Sequence, residues 1–304
     1  MALVMINGKI VDSTEATVSV WDRGYYFGDG VYEVIQSYAG KLWGVTPHFR
    51  RFERSLREIG IAFDMDRIKR WVNEAFAAAK MPDCVIYWQV TRGCELRSHT
   101  PGPDLQPQFF LYVKPAPNNT QWITQGISAI TYPEIRWKRC DIKSLNLLPN
   151  VMAAKAAKDA GAHEALFVEA DTIVEGSSST YFAILGGTLV TRALDHQVLP
   201  SVTRQAVLAL TEGLDIPVEE RPVTIQEAYG ADEAFVSSSG NEIRPIVNLD
   251  GHEISGGKPG QLTGRIVQAF LKHTRSGGSF DDLVRHTRFA LLPADHSVEA
   301  GNLR

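Results

Sequence analysis

The sequence predicts an α+β protein of two domains, and three observations carry that expectation. The chain has 304 residues, enough for one large domain or two of ordinary size. Its strand-like and helical stretches mix without the strict alternation of a doubly wound parallel sheet. A short linker-like stretch, PAPNNT at Pro115–Thr120, divides the chain. That division gives a smaller unit over residues 1–115, a larger one over 121–275, and a tail over 276–304.

The elements follow from local chemistry. Leu3–Ile6 and Lys9–Val11 form a hairpin, because Asn7-Gly8 suits the positive φ angles of a type I′ turn. Val18–Trp21 reads as a further strand, and DRGYYFGDG (Asp22–Gly30) as a glycine-rich loop. Val31–Tyr38 is apolar and β-branched, hence a strand, and Ala39-Gly40 turns it into Lys41–Gly44. Pro47 suits the first position of a helix that runs to Gly60, a natural residue to follow a helix end. Asp64 caps a second helix through Lys80, with Ile68, Trp71, Val72, Ala75, Phe76 and Ala79 at helical spacing. Cys84–Thr91 and Phe109–Lys114 are strands joined by a long polar loop, and long loops in compact domains are often functional.

Beyond the linker, Ile123–Thr131 reads as a strand, and a helix spans about Asn150 to Ala160, ended by Gly161. Ala165–Glu169, Thr180–Ile184 and Thr188–Thr191 are strands. Leu199–Leu210 is a helix opened by Pro200-Ser201 and closed at Gly213. Ala234–Val236 is a strand, and Ile243–Leu249 pairs with His252–Ile254 around Asp250-Gly251. The last packed helix runs from about Gly260 to His273, and the tail after Arg275 reads as loosely attached.

Composition narrows the function classes. Hydrophobic residues make up 44% and charged residues 22%, which is ordinary for a soluble globular protein. Net charge is -4 without blocks of like charge, which argues against a nucleic-acid or anionic-membrane partner. Cys84, Cys94 and Cys140 are odd in number and lack CxxC spacing, so neither a disulfide framework nor a zinc site is expected. No apolar run approaches the ~20 residues a membrane helix needs. These features fit a cytoplasmic protein.

The chemistry centres on RCDIKSLNLLPN, Arg139–Asn150. Lys143 is flanked by Ile142, Leu145, Leu147 and Leu148, so its amine is a candidate for a dry setting. Desolvation disfavours a lysine's charged form and frees the amine to attack a carbonyl. Taken alone, the segment better describes a lysine at a strand end with its head in water, and the rest of the chain shifts that balance. Four further features suit a phosphate-bearing aldehyde cofactor beside it. The helix start at Ser201-Val202-Thr203 offers free N–H groups and a hydroxyl to a phosphate. Arg51 in HFRRFERS can clamp phosphate oxygens, although spacing does not separate it from Arg50, Arg54 and Arg57. Glu175 follows Ile173-Val174 and can keep a pyridine nitrogen protonated. Ser237-Ser238-Ser239-Gly240-Asn241 lets backbone approach a ligand closely. Each has an ordinary alternative as a cap, a charged helix face or a polar turn.

Seven motifs in order make the resemblance specific. They are DRGYYFGDGVYEV (22–34), HFRRF (48–52), TRGCELRSH (91–99), RCDIKSLNLL (139–148), EGSSS (175–179), LPSVTR (199–204) and FVSSSGNEIRPI (235–246). Their sequence resembles the fold type IV pyridoxal-phosphate enzymes, and within them the D-amino-acid aminotransferases. The resemblance implies a small N-terminal α/β domain and a larger C-terminal domain with a barrel-like sheet, the cofactor between them, and a homodimer. It implies that Lys143 is the Schiff-base lysine and catalytic base, and that Glu175 binds the pyridine nitrogen. Arg51, Val202, Thr203 and Ser239 match the phosphate ligands. Tyr32, Arg97 and His99 match a trap for the substrate α-carboxylate, the last two reaching in from the neighbouring subunit. All three side chains donate to carboxylates.

The implied reaction moves amino groups among D-amino acids and 2-oxo acids such as pyruvate and 2-oxoglutarate, with pyridoxal 5'-phosphate as cofactor. Branched-chain L-amino-acid aminotransferases usually carry a tyrosine five residues after the lysine, where this chain has Leu148. An aminodeoxychorismate lyase shares the look of Lys143–Asn146, and an R-selective amine transaminase would not need a carboxylate trap. A pyridoxal-phosphate-binding protein without turnover is opposed by the intact Lys143 and Glu175. A redox enzyme is opposed by the lack of GxGxxG after a strand. One departure stands out: Ser201 replaces the glycine usual in relatives, a strained choice if that position needs positive φ.

Overall fold

The structure, a computed structural model, describes residues 2–289. The first part of the chain builds one sheet from β1 (Leu3–Ile6), β2 (Lys9–Val11), β3 (Gly30–Tyr38), β4 (Lys41–Leu42), β5 (Cys84–Thr91) and β6 (Gln108–Pro115). Its order is β2-β1-β6-β5-β3-β4, and all its pairs are antiparallel. Asn7 and Gly8 both take positive φ, as the type I′ hairpin requires.

Helix α1 (Arg23–Phe27) is a single turn. Helices α2 (Val45–Glu58) and α3 (Met65–Ala79) cover one face of this sheet. Phe49, Phe52 and Leu56 of α2 and Ile68, Val72 and Ala75 of α3 recur at three- and four-residue intervals, so each helix has one apolar face. Those faces meet Val31, Ile35, Ile86, Trp88 and Leu111 in the first core. The other face of the sheet carries a stacked ladder, Tyr32–Tyr87–Tyr112, with ring centroids 5.5 and 5.0 Å apart.

The chain then crosses to a second, ten-stranded sheet. A short helix, α4 (Thr120–Gln125), leads to β7 (Ile127–Pro133). After the lysine segment come α5 (Leu148–Asp159), β8 (Glu164–Glu169), β9 (Thr172–Gly176), β10 (Thr180–Leu185), β11 (Thr188–Thr191) and α6 (Val202–Gly213). The chain continues through β12 (Val218–Glu220), β13 (Val223–Thr224), α7 (Ile225–Tyr229), β14 (Glu233–Ser238), β15 (Glu242–Leu249), β16 (His252–Glu253), α8 (Gln261–Arg275) and α9 (Phe280–Val284). The order is β12-β11-β10-β14-β15-β7-β8-β9-β13, with β16 on β15. The β15–β7, β7–β8 and β11–β12 pairs are parallel.

β9 and β10 are joined by only Ser177–Ser179, yet β14, β15, β7 and β8 lie between them in the sheet. So short a connection spans the sheet only because the sheet curls on itself, giving a half-barrel. Helices α6 and α8 pack on one side of it over Phe182 and Phe235, which stack 4.6 Å apart.

The crossing itself is anchored. Asn119 is buried; its Nδ2 donates to Gly240 O (3.1 Å), and its Oδ1 accepts from Arg244 Nη2 (2.6 Å).

Several local expectations change. Val18–Trp21 is not a strand; Val18, Val20 and Trp21 are exposed and unladdered. The loop after it contains α1, because Asp22 caps it through Gly24 N–H (2.7 Å). Pro47 sits at the third position of a helix that begins at Val45. The strand expected from Ile123 begins at Ile127, since α4 occupies the preceding residues. Ser201 has φ of −78°, so no left-handed conformation is demanded and the serine is unstrained.

The tail also differs from expectation as far as it is described. Ser279 caps α9, and Phe280 and Phe289 are buried in the core around α6. Phe280 meets Trp43 edge-on at 5.0 Å. Residues 290–304 lie outside the described part.

Candidate active site

The lysine segment is fixed before its side chain is considered. Asp141 is buried and accepts from Arg54 Nη2 of α2 (2.7 Å) and from Arg139 Nε (3.0 Å). Lys143 N–H donates to Ser55 Oγ (3.2 Å), and Lys143 O accepts from Tyr32 N–H (2.9 Å). Leu145 N–H donates to Gly30 O (3.0 Å), so the segment lies along the edge of β3. The Lys143 side chain is half-buried, with Nζ 4.3 Å from the Tyr32 ring centroid. Of its apolar neighbours, Ile142 is buried but Leu148 is 70% exposed, so the dry side is the one facing α2 and β3.

Lys143 opens into a cavity also lined by Tyr32, Arg51, Glu175, Ser201 and Ser239. These residues come from two sheets, the middle of α2, the start of α6 and two loops. Val202 and Thr203, both buried, form the first turn of α6 behind Ser201. Their backbone N–H groups have no acceptor within the helix. Ser201 Oγ caps the turn by accepting from Arg204 N–H (3.2 Å). A carboxylate, an amine and a cluster of uncharged donors thus share one hollow.

Glu175 lies in β9 and is buried. One carboxylate oxygen pairs with Arg136 Nη1, and the other accepts from Leu199 N–H (3.1 Å). Burial pushes the carboxyl above its ordinary value, and Arg136 draws it back part of the way. Arg136 is itself held by Glu134 (Nε–Oε1 2.9 Å) and lies 4.3 Å from the Phe167 ring centroid. Cys140 also lines the cavity; burial pushes its thiol up to about 12, so it is not a thiolate nucleophile at neutral pH.

Sequence reasoning could not choose among the arginines of α2. Burial does: Arg50 and Arg57 are exposed, Arg54 serves Asp141, and Arg51 faces the cavity. Arg51 is not a free cation, however. Its Nε donates to Glu33 Oε2 (2.9 Å), its Nη2 to Glu33 Oε1 (2.5 Å), and its Nη1 to Pro200 O (2.9 Å). Glu33 also meets His48 Nδ1 at 3.0 Å. Burial works against ionising Glu33, but Arg51 and His48 outweigh it and hold the carboxyl well below the usual carboxylate range. Burial likewise lowers the His48 imidazole, with Glu33 opposing.

Four residues here were missed from sequence: Glu33, His48, Arg136 and Glu164. Glu33 carried a signal, since a carboxylate among apolar residues on the inward face of a strand must be paired. Glu164 carried none. It is buried and accepts from Ser177 Oγ (2.5 Å) and Ser179 Oγ (2.6 Å), which engages those two hydroxyls of the EGSSS motif and fixes the turn after Glu175.

Arg97 and His99 do not line the cavity within one chain. Both are exposed and lie against Phe27, the Arg97 guanidinium carbon 5.0 Å and the His99 ring 5.5 Å from its centroid. Of the three carboxylate-trap candidates, Tyr32 lines the cavity.

Comparison with known proteins gives concordant results. The amino-transferase class IV family model matches residues 30–249. A D-alanine aminotransferase of Staphylococcus haemolyticus is 39% identical over 282 residues, covering 92% of this chain and 100% of the relative. One from Bacillus licheniformis is 39% identical over 273 residues, covering 89% and 96%. Among solved structures, a branched-chain amino acid aminotransferase from Escherichia coli superposes with a TM-score of 0.82 at 23% identity, covering 91% of this chain and 95% of that one; it shares the fold.

Proposed function

Since this chain belongs to the class IV aminotransferases, we propose that it is a D-amino-acid transaminase, moving the amino group of D-alanine to 2-oxoglutarate or a similar 2-oxo acid. The family is pyridoxal-phosphate-dependent, and the cavity fits that cofactor chemically. It offers a lysine amine, a buried carboxylate, free N–H groups at the start of α6, and serine hydroxyls. The observation that carries the reading is Lys143 Nζ over the Tyr32 ring in one cavity with Glu175 and Arg51.

When bound, pyridoxal phosphate supplies the aldehyde that takes up the amino group and the electron-poor ring that makes the α-proton acidic. The protein's share is positioning and proton movement. Lys143 would hold the cofactor, and its amine would carry the α-proton on one face. Glu175, beside Arg136, would hold a proton at the pyridine nitrogen. Arg51, the N–H groups of Val202 and Thr203, and Ser239 would hold the phosphate.

Tyr32 with Arg97 and His99 binds the α-carboxylate. For Arg97 and His99 this requires a second copy of the chain, so the working form is a homodimer with sites at its interface. Exposed apolar side chains on several elements support that assembly: Val18, Val20, Trp21, Tyr25, Leu148 and Val151. We further assign residues 1–115 and 121–275 as the two domains, and a cytoplasmic setting, consistent with a small-molecule amino-acid chemistry and no helix among the described residues long and apolar enough to cross a membrane.

The test is a pair of absorbance titrations, with D-alanine and with L-alanine. Bleaching of the bound-cofactor band and pyruvate release with the D-form alone is the expected result, and Lys143→Ala abolishes both. Turnover of L-alanine or branched-chain L-amino acids instead would keep the family and discard the D-specific reading.

A further inference from the structure

β14 alternates in the usual way of a strand, with successive side chains on opposite faces. Phe235 packs with Val202 and Ala206 of α6, whereas Ala234 and Val236 belong to the core on the other face. Ser237 follows Phe235 by two residues and so shares the α6 face. Thr180 lies directly opposite it on β10, and both residues line the active-site cavity.

Ser237 is 1% exposed, and its Oγ has no hydrogen-bond partner. Other serines around the cavity are engaged: Ser177 and Ser179 donate to Glu164, and Ser201 Oγ accepts from Arg204 N–H. A buried hydroxyl without a partner costs folding free energy and is rare in native proteins. The cation at this end of the cavity is already neutralised, because Arg51 gives two nitrogens to Glu33 and the third to Pro200 O. An anion arriving at the α6 terminus therefore draws on uncharged donors as well as on Arg51.

Resting on the reading that this cavity holds pyridoxal phosphate, we propose that Ser237 is a further phosphate ligand, its hydroxyl donating to a phosphate oxygen beside the N–H groups of Val202 and Thr203. A phosphate oxygen accepts only, so the orphaned hydroxyl supplies the proton and gains the partner the fold denies it. Ser201 is suited to assist: its oxygen is used by Arg204 N–H, and its own proton remains to be donated.

The experiment strips the cofactor from purified enzyme and measures the dissociation constants of pyridoxal phosphate and of pyridoxal, which lacks the phosphate, by absorbance titration. Ser237→Ala weakens pyridoxal phosphate about tenfold or more, the loss expected for a hydrogen bond to a charged acceptor. It leaves pyridoxal essentially unchanged. It also leaves the cofactor-free protein as heat-stable as the wild type or more so, because only an unsatisfied hydroxyl is removed. Equal weakening of both ligands, unchanged affinity for pyridoxal phosphate, or a cofactor-free variant that melts earlier overturns the proposal. In each of these the wild type still binds pyridoxal phosphate, which separates this failure from failure of the transaminase reading, where the wild type binds none.

Discussion

Glu33→Gln is the most informative perturbation of the site. It keeps the shape of the side chain and removes one charge from a buried trio with Arg51 and His48. In the cofactor-free protein Arg51 is left as a buried cation without a counter-charge, which costs about 3–5 kcal/mol when one member of a buried pair is removed. In the loaded protein the phosphate restores a negative charge near Arg51, so the loss is smaller. Linkage then requires the variant to bind pyridoxal phosphate more tightly than wild type, by about tenfold for each 1.4 kcal/mol recovered.

The pH dependence has a fixed sign. The folded-state carboxyl of Glu33 lies below its ordinary value, so its stabilisation is complete above about pH 4.3 and fades as pH falls from there toward the folded value. The stability gap between wild type and Glu33→Gln therefore narrows in acid. Urea unfolding with and without cofactor, at neutral and acid pH, reads all three effects. An equal loss with and without cofactor would refute the idea that Glu33 limits the charge Arg51 offers to phosphate.

Arg136→Leu removes the cation opposing the burial of Glu175; the acid limb of the pH–rate profile moves to higher pH, and an unmoved limb would detach Glu175 from proton control. Arg97→Ala raises KM for D-alanine but not for amines lacking a carboxylate, in steady-state assays; equal effects would remove Arg97 from the carboxylate trap. Phe280→Ala lowers stability by about 3–5 kcal/mol in urea unfolding, since the ring is 4% exposed and packs on Trp43. A near-neutral result would mean that α9 adds nothing to the core.

What the sequence made legible was chemistry with a local signature. Asn7-Gly8 named its turn, Asp64 named its cap, and the helical spacing from Ile68 to Ala75 named a buried face that the structure contains. Lys143, Glu175, Arg51 and Ser239 are far apart in sequence yet line one cavity, as the order of motifs suggested. What stayed hidden depends on partners distant in the chain. Nothing near Glu33 announces Arg51 and His48, and nothing near Glu164 announces the two serines it holds. Val18–Trp21 has strand composition but no neighbouring strand with which to pair. Phe280 and Phe289 are too sparse to form a periodic pattern, yet each is buried against a core built by other segments.

Asn119 bears on how such chains can be recombined. The stretch joining the two sheets looks like a natural crossover point for building chimaeras between relatives. Its final residues, though, belong to the second module, because Asn119 is keyed to Gly240 and Arg244 beside the cavity. A splice placed before Asn118 inherits that key intact. A splice placed after Thr120 brings in a foreign residue at 119, and the parent that donates the second sheet loses the contact that steadies its own ligand loop.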